Sequence, residues 1–239
     1  MNEISAICLN IECDRHIPKI WKLLSDQPAE VILLQEIFKD DITKFEDHLS
    51  MPCYFSGLTY LQCDRGTPEM GIATFTNLKI VTSSVVYYRG QADKLPCITT
   101  TEPEKMARPL LITELSNGSD EFCFINTHFT WSANATPSEQ QFIDYHKMVE
   151  TLDSIPEFVL CGDFNAPRGT AIFNLLASKY KDNIPQDIKT TLDRKLHKAG
   201  NLDLVVDGLF TTPKYQTSIV EVISGVSDHC ALRFKISKL

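Results

Sequence analysis

The chain has 239 residues, of which 43% are hydrophobic and 23% charged. That is enough apolar material for a sizeable core in one large domain, and it excludes global disorder. Ten glycines and twelve prolines exclude collagen-like and low-complexity chains. A net charge of -8 argues against a broad basic surface, but leaves room for a local basic site.

In chain order, ISAICLNI at 4–11 is a short apolar, β-branched run and predicts a central strand. Ile17, Ile20, Trp21 and Leu24 lie at helical spacing over 15–25, with Pro18 tolerated in the first turn. VILLQE at 31–36 predicts a buried strand ending in a carboxylate, and 40–49 an amphipathic helix. Strands follow at 53–60, 71–76 and 79–88. Residues 89–106, with two prolines and several charges, predict a loop or lid.

Strands at 108–115 and 121–128 are joined by the turn signal Asn117-Gly118. A long helix is expected over 138–153, a strand at 158–163, and a helix at 171–179 capped by Thr170. Residues 181–201 are polar and irregular, and strands at 204–210, 216–223 and 230–236 close the chain. Interleaved strands and helices together with hairpin signals predict a mixed-sheet α/β sandwich, in one domain over 1–239.

The eight cysteines form no CxxC pair, and Cys8, Cys123, Cys161 and Cys230 lie in apolar strand-like runs. Free thiols in a reducing, intracellular compartment are the expectation. The opening residues, with Glu3 and no apolar core, do not read as a signal peptide. Apolar runs are far too short for a membrane span, so no stable membrane association is expected.

Several apolar strands end in an acid, amide or imidazole. These are Asn10, Gln35-Glu36, Asn126-Thr127-His128, Asp163 with Asn165, Asp207, and Asp228-His229 at the start of the last strand. Polar groups at strand ends cost little if they share one wet cleft, and much if scattered through a core. Individually each has an ordinary reading, such as an Asx turn at Asp163 and Asn165; the joint pattern points to a site.

Read in order, ICLNI, LLQE, NTHF, GDFNAP, VVDGLF and SDHC resemble the endonuclease/exonuclease/phosphatase superfamily, which has the deoxyribonuclease-I-like fold. The likeness runs from residue 7 to about residue 234 and includes EMGIATFTNLKI at 69–80, where Thr76-Asn77 replaces the usual Ser-Arg. It implies a four-layer α/β/β/α sandwich of two packed mixed sheets with helices outside, and divalent-metal-dependent hydrolysis of phosphoesters.

By this resemblance, Glu36 is the principal metal ligand, with Asn10 and Asp228 in the metal network, and the ion is Mg2+ or Mn2+. His128 and Asn165 contact the phosphate, Asp163 orients or deprotonates the attacking water, and His229 stands against the reacting phosphate. An aspartate pairs with that histidine. Asp203 and Asp207 both qualify, and being four apart they would share a face of one regular strand. Asp207 fits the family pattern better, although Val206 replaces the usual basic residue before it.

All-oxygen ligands suit Mg2+ or Mn2+ rather than zinc. Ser227 beside Asp228 and His229 has poor geometry for a nucleophilic triad, and GxSxG and Walker A motifs are missing from the sequence. The expected substrate is nucleic acid, DNA or RNA; a small phosphoester such as an inositol phosphate, or a non-catalytic scaffold role, are the alternatives. Arg108, Arg168, Lys195, His197 and Lys198 either gather round a substrate phosphate or are simply solvated. Trp131 and the 89–106 lid are placed to stack on a base, or Trp131 merely packs on the sandwich.

Overall fold

The computed structural model describes residues 3–239; residues 1 and 2, the start of the expected domain, lie outside them. The elements are β1 (Ile4–Asn10), α1 (Ile17–Asp26), β2 (Val31–Phe38), α2 (Ile42–Leu49), β3 (Cys53–Leu61), β4 (Glu69–Thr76), β5 (Lys79–Arg89) and β6 (Cys97–Ile98). There follow β7 (Arg108–Ser116), β8 (Glu121–His128), α3 (Glu139–Leu152), β9 (Val159–Asp163), α4 (Ala171–Lys179), β10 (Lys181–Asp182), β11 (Asp207–Thr211), β12 (Tyr215–Ile223) and β13 (Ala231–Lys238).

Among the described residues these strands form a seven-stranded sheet, β12-β13-β1-β2-β4-β3-β6, and a six-stranded one, β10-β11-β9-β8-β7-β5. Both are mixed: β1 runs parallel to β2, and β8 to β9, within otherwise mostly antiparallel sheets. Ile4, Ala6 and Cys8 of β1 pack with Phe122 and Phe124 of β8 and Val159 and Cys161 of β9, so the sheets meet face to face. The intervening residues Ile7 and Leu9 turn outward onto Ile20 and Leu24 of α1. On the opposite surface Ile125 and Leu160 face Met148 of α3 and Ile172 of α4. The result is the expected four-layer sandwich.

Strand alternation explains where the site forms. Successive residues point to opposite faces. Asn10 therefore shares the inter-sheet face with Ile4, Ala6 and Cys8, and Asp163 shares it with Val159 and Cys161. Gln35 follows Val31 and Leu33, while Asn126 and His128 follow Phe122 and Phe124. One end of the inter-sheet interior is thus polar. Gln35 Nε2 donates to Asn126 Oδ1 at 2.7 Å across that interior, and Asn126 Nδ2 donates to the carbonyls of Leu34 and Ala73.

The structure adjusts several expected boundaries. The 89–106 segment is largely loop, but Cys97–Ile98 pairs in parallel with β3. Helix 40–49 opens with a 3-10 turn at Lys39–Asp41. Thr170 occupies the N-cap position of α4, but its hydroxyl donates to Pro167 O instead of capping the helix. The strand expected from 204 begins at Asp207, because the N–H of Val206 bonds Thr191 Oγ1 and its carbonyl accepts from Phe164. None of the eight cysteines is in a disulfide. No helix among the described residues is long and apolar enough to cross a membrane.

Gln35→Leu leaves a buried amide acceptor on Asn126 without its donor. Urea denaturation should show a loss of about 1–3 kcal/mol; an unchanged midpoint would mean that the inter-sheet amide pair contributes nothing.

Candidate active site

Asp163 is buried at the end of β9, opposite Asp207 of β11 and beside His128 of β8 in register. Its Oδ2 accepts from Asn10 Nδ2 at 3.1 Å, lies 3.4 Å from His128 Nε2 and 3.7 Å from His229 Nε2. Its Oδ1 accepts the N–H of Asn165 at 2.8 Å, in the Asx-type turn that follows the strand. Asn165 has φ 48 there, and its Nδ2 donates to Phe129 O.

His229 Nδ1 faces both oxygens of Asp207, at 2.9 and 3.1 Å. A carboxylate only accepts, so Nδ1 carries the proton and Nε2 is aimed towards Asp163. Asp203, the other candidate, is largely exposed and pairs with Arg194. The parity argument between the two aspartates did not apply, because residue 203 lies outside the strand.

Glu36 departs from its strand. With Gln35 facing inward, regular alternation would send Glu36 towards the helix layer. A bulge between Gln35 and Ile37 and a left-handed backbone at Glu36 (φ 59) turn its carboxylate into the site instead. Asn10 Nδ2 donates to Glu36 Oε1 at 3.2 Å, and His128 Nε2 lies 3.8 Å from the same oxygen. Asp228, half-buried, shares the cleft, with Ser227 Oγ on its Oδ1 at 3.2 Å. Ser227 itself is fully buried and touches no imidazole, as expected from its poor triad geometry.

The charges divide the site in two. Burial alone would raise the Asp163 carboxyl, but His229, His128 and the Asn165 N–H hold it well below the usual carboxylate range. Burial opposes the charged form of His229, yet Asp207 and Asp163 lift it well above an ordinary imidazole. Glu36 is raised by burial and by the neighbouring charges of Asp228 and Asp163, against the pull of His128 and Asn10. Asp207 is raised by burial and by Asp163, against the pull of His229. One half is therefore a cluster of aspartates bridged by imidazoles, and the other is a pair of carboxylates facing the same space.

Glu36, Asp163, Asn165, Asp228 and His229 line a cleft of about 550 Å³. Arg15, Arg65, His197, Lys198 and Trp131 also line it, as do Thr100, Pro103 and Met106 of the expected lid. Trp131 is 39% exposed. Arg65 stands 4.9 Å over the Phe38 ring and is tethered to Asp14 and Asp41.

The sequence model of the Endonuclease/Exonuclease/phosphatase family matches residues 8–229. The chain belongs to this family. Solved structures with the same fold include the human Nocturnin catalytic domain, with TM-score 0.75 and 15% identity over 99% of this chain and 95% of that one. A mannosyl-6-phosphatase from Bacteroides thetaiotaomicron aligns with TM-score 0.74 and 13% identity, over 98% of this chain and 99% of its own. D. rerio TDP2, complexed with a single-strand DNA product, aligns with TM-score 0.73 and 14% identity over the whole of both chains. No curated protein sequence matches the chain.

In this family member the expected residues converge, but the basic set does not. Arg108 is fully buried, with NH1 on His128 O at 3.1 Å and NH2 on Pro103 O at 2.6 Å. Burial lowers its guanidinium to about 10, and it braces the His128 backbone against the lid rather than meeting a substrate. Arg168 is tied to Asp182 and the carbonyls of Ile184 and Pro185. Only His197 and Lys198 of that set line the cleft, and Lys195 lines a second cavity.

Sequence reasoning missed the work of 190–193. Thr191 Oγ1 accepts the N–H groups of Val206 and Asp207, and its carbonyl accepts Cys230 N at 2.7 Å. Asp193 N donates to Asp228 O at 2.7 Å. These bonds hold both backbone runs that carry the Asp207–His229 pair. The one available signal was the Thr-Thr-Leu-Asp sequence, a cluster of turn-forming side chains inside an otherwise irregular segment.

In the metal-free protein, imidazole ¹⁵N NMR should show His229 protonated well above about pH 6.5, the ordinary value. Asp207→Asn should bring it down. Because the folded state binds this proton more tightly, the stabilisation is complete below the unfolded value and is lost as pH rises through the folded one. An ordinary His229 titration, unchanged in Asp207→Asn, would contradict the pair.

Proposed function

We propose that the protein is a divalent-metal-dependent phosphodiester hydrolase acting as a nuclease on DNA or RNA. The observation carrying this reading is the division of the cleft: a low-pKa aspartate clamped by two imidazoles, beside two further carboxylates, Glu36 and Asp228, that share one space. Lys198 and the exposed ring of Trp131 on the cleft wall support a nucleic-acid substrate, one as a phosphate contact and the other as a stacking surface. The free thiols are consistent with a reducing, intracellular setting.

The residues fit a metal on the Glu36 side. Like charges from Asp228 and Asp163 raise Glu36, which a cation would offset, and oxygen donors suit Mg2+ or Mn2+. Asn10 holds Glu36 through Nδ2, while its Oδ1 accepts Glu12 N, so it positions the ligand. Asp163, Asp207 and His229 also bring ligand atoms within 4.8 Å of one another, but a metal there would displace the Asp207–His229 hydrogen bond. Bound at Glu36 and Asp228, the ion supplies Lewis-acid polarisation of a phosphoryl oxygen.

The chain's own residues do the rest. Asp163 is too acidic to be an efficient base near neutral pH, so it orients the attacking water more than it deprotonates it. His229, charged and fixed by Asp207, offers Nε2–H to the phosphate and stabilises its developing charge. His128 supports Asp163 from the β8 side, and Asn165 has a second amide N–H for a phosphate oxygen.

Activity should be assayed with Mg2+ on single-stranded DNA, duplex DNA, RNA, inositol phosphates and bis(p-nitrophenyl) phosphate. Nucleic-acid cleavage should fall at least about 10²-fold in both Glu36→Ala and His229→Ala. Turnover confined to an inositol phosphate would replace the nuclease reading with the small-phosphoester one. Full activity in either variant would remove that residue from the mechanism.

A further inference from the structure

A second cavity of about 570 Å³ adjoins the active cleft. Leu192–Leu196 and Cys230 line it, while the next residues along each run, His197 with Lys198 and His229 with Asp228, line the cleft. One short segment therefore forms the wall between them. Four cations, Lys19, Lys189, Arg194 and Lys195, surround the second cavity against two carboxylates, Asp187 and Asp193. In a chain of net charge -8 this is a local reversal of sign.

The two carboxylates offset only part of it. Asp193 is occupied by the backbone N–H groups of Lys195, Leu196 and Gly225, which help hold its carboxyl low despite burial. Arg194 is paired with Asp203. Lys189 and Lys195 have no ion-pair partner among the described residues, while Lys19 acts on the Asp193 carboxylate. Leu192, Leu196 and Val222 add apolar surface to the lining, against which a base can rest.

We infer that this cavity binds a non-scissile phosphate of the substrate strand, making it a second subsite for an extended single strand of nucleic acid. The inference rests on the nuclease reading and deepens it. His197 and Lys198 line the cleft, and Lys195 and Lys189 line the adjoining cavity, so a strand occupying both has these cations along it. Two phosphate contacts remote from the bond being cut strengthen binding without touching the chemistry.

The test compares the wild type with Lys189→Ala/Lys195→Ala on oligonucleotides of 2 to 12 nucleotides and on bis(p-nitrophenyl) phosphate. KM should rise roughly tenfold for the longer strands only, with kcat and the small diester unchanged, and the salt slope of binding should fall by about two. Binding of a labelled 12-mer to Glu36→Gln, read by anisotropy, separates the two failures. If the wild type cleaves no nucleic acid, the nuclease reading fails, yet lysine-dependent binding of the 12-mer would still support the subsite. Equal 12-mer binding with and without the two lysines would overturn the subsite, as would inorganic phosphate binding at the lysines with no dependence on strand length.

Discussion

A carboxylate buried where two sheets meet must be surrounded by donors, and Asp163 draws them from both. Asn10 comes from the seven-stranded sheet, His128 from the six-stranded one, and His229 from the approach to β13. Neutralised by these partners, Asp163 stays ionised at full burial, where an isolated carboxylate would take up a proton. The sheet registers that bring these strand ends together are therefore also the registers that make the charge affordable. Loss of any one donor leaves the others facing an under-compensated charge, which links the fold's stability to the site's chemistry.

The second constraint is the bulge at Glu36. Regular pleating would have pointed this side chain away from the other acids. The left-handed turn brings it to the cleft, where its own charge is disfavoured by burial and by Asp228. Neighbouring halves of one cleft thus have opposite electrostatic needs. The Asp163–His229–Asp207 chain sets an imidazole between its two carboxylates, while Glu36 and Asp228 are the carboxylates to which the proposed cation is assigned. The Thr191–Asp193 bonds, two through the backbone and one through the Thr191 hydroxyl, keep the two halves in a fixed relation, because they hold Asp228, Cys230 and Asp207 at once.

Much of this was legible in the sequence. Short apolar, β-branched runs located the main strands, and the polar residues closing them, Asn10, His128 and Asp163, marked the shared end of the sheets. What stayed hidden has physical reasons. The two-residue strands β6 and β10 are too short to show a period. The 190–193 segment works through backbone groups and through a threonine hydroxyl whose partners lie distant in sequence, which composition does not display. Arg108 reads as a surface cation until its burial against the His128 carbonyl is known. Asp203 and Asp207 could not be told apart by periodicity, since residues four apart share a face of a regular strand and the late start of this strand at Asp207 was not visible. The bulge at Glu36 carries no glycine to announce it.

The most direct test of this account is where a metal settles. Crystals soaked in Mn2+ and measured at its absorption edge would show the ion as an anomalous peak. The account predicts a peak bounded by the carboxylates of Glu36 and Asp228, with the Asp207–His229 hydrogen bond intact. A peak between Asp163, Asp207 and His229, with that bond broken, would contradict it.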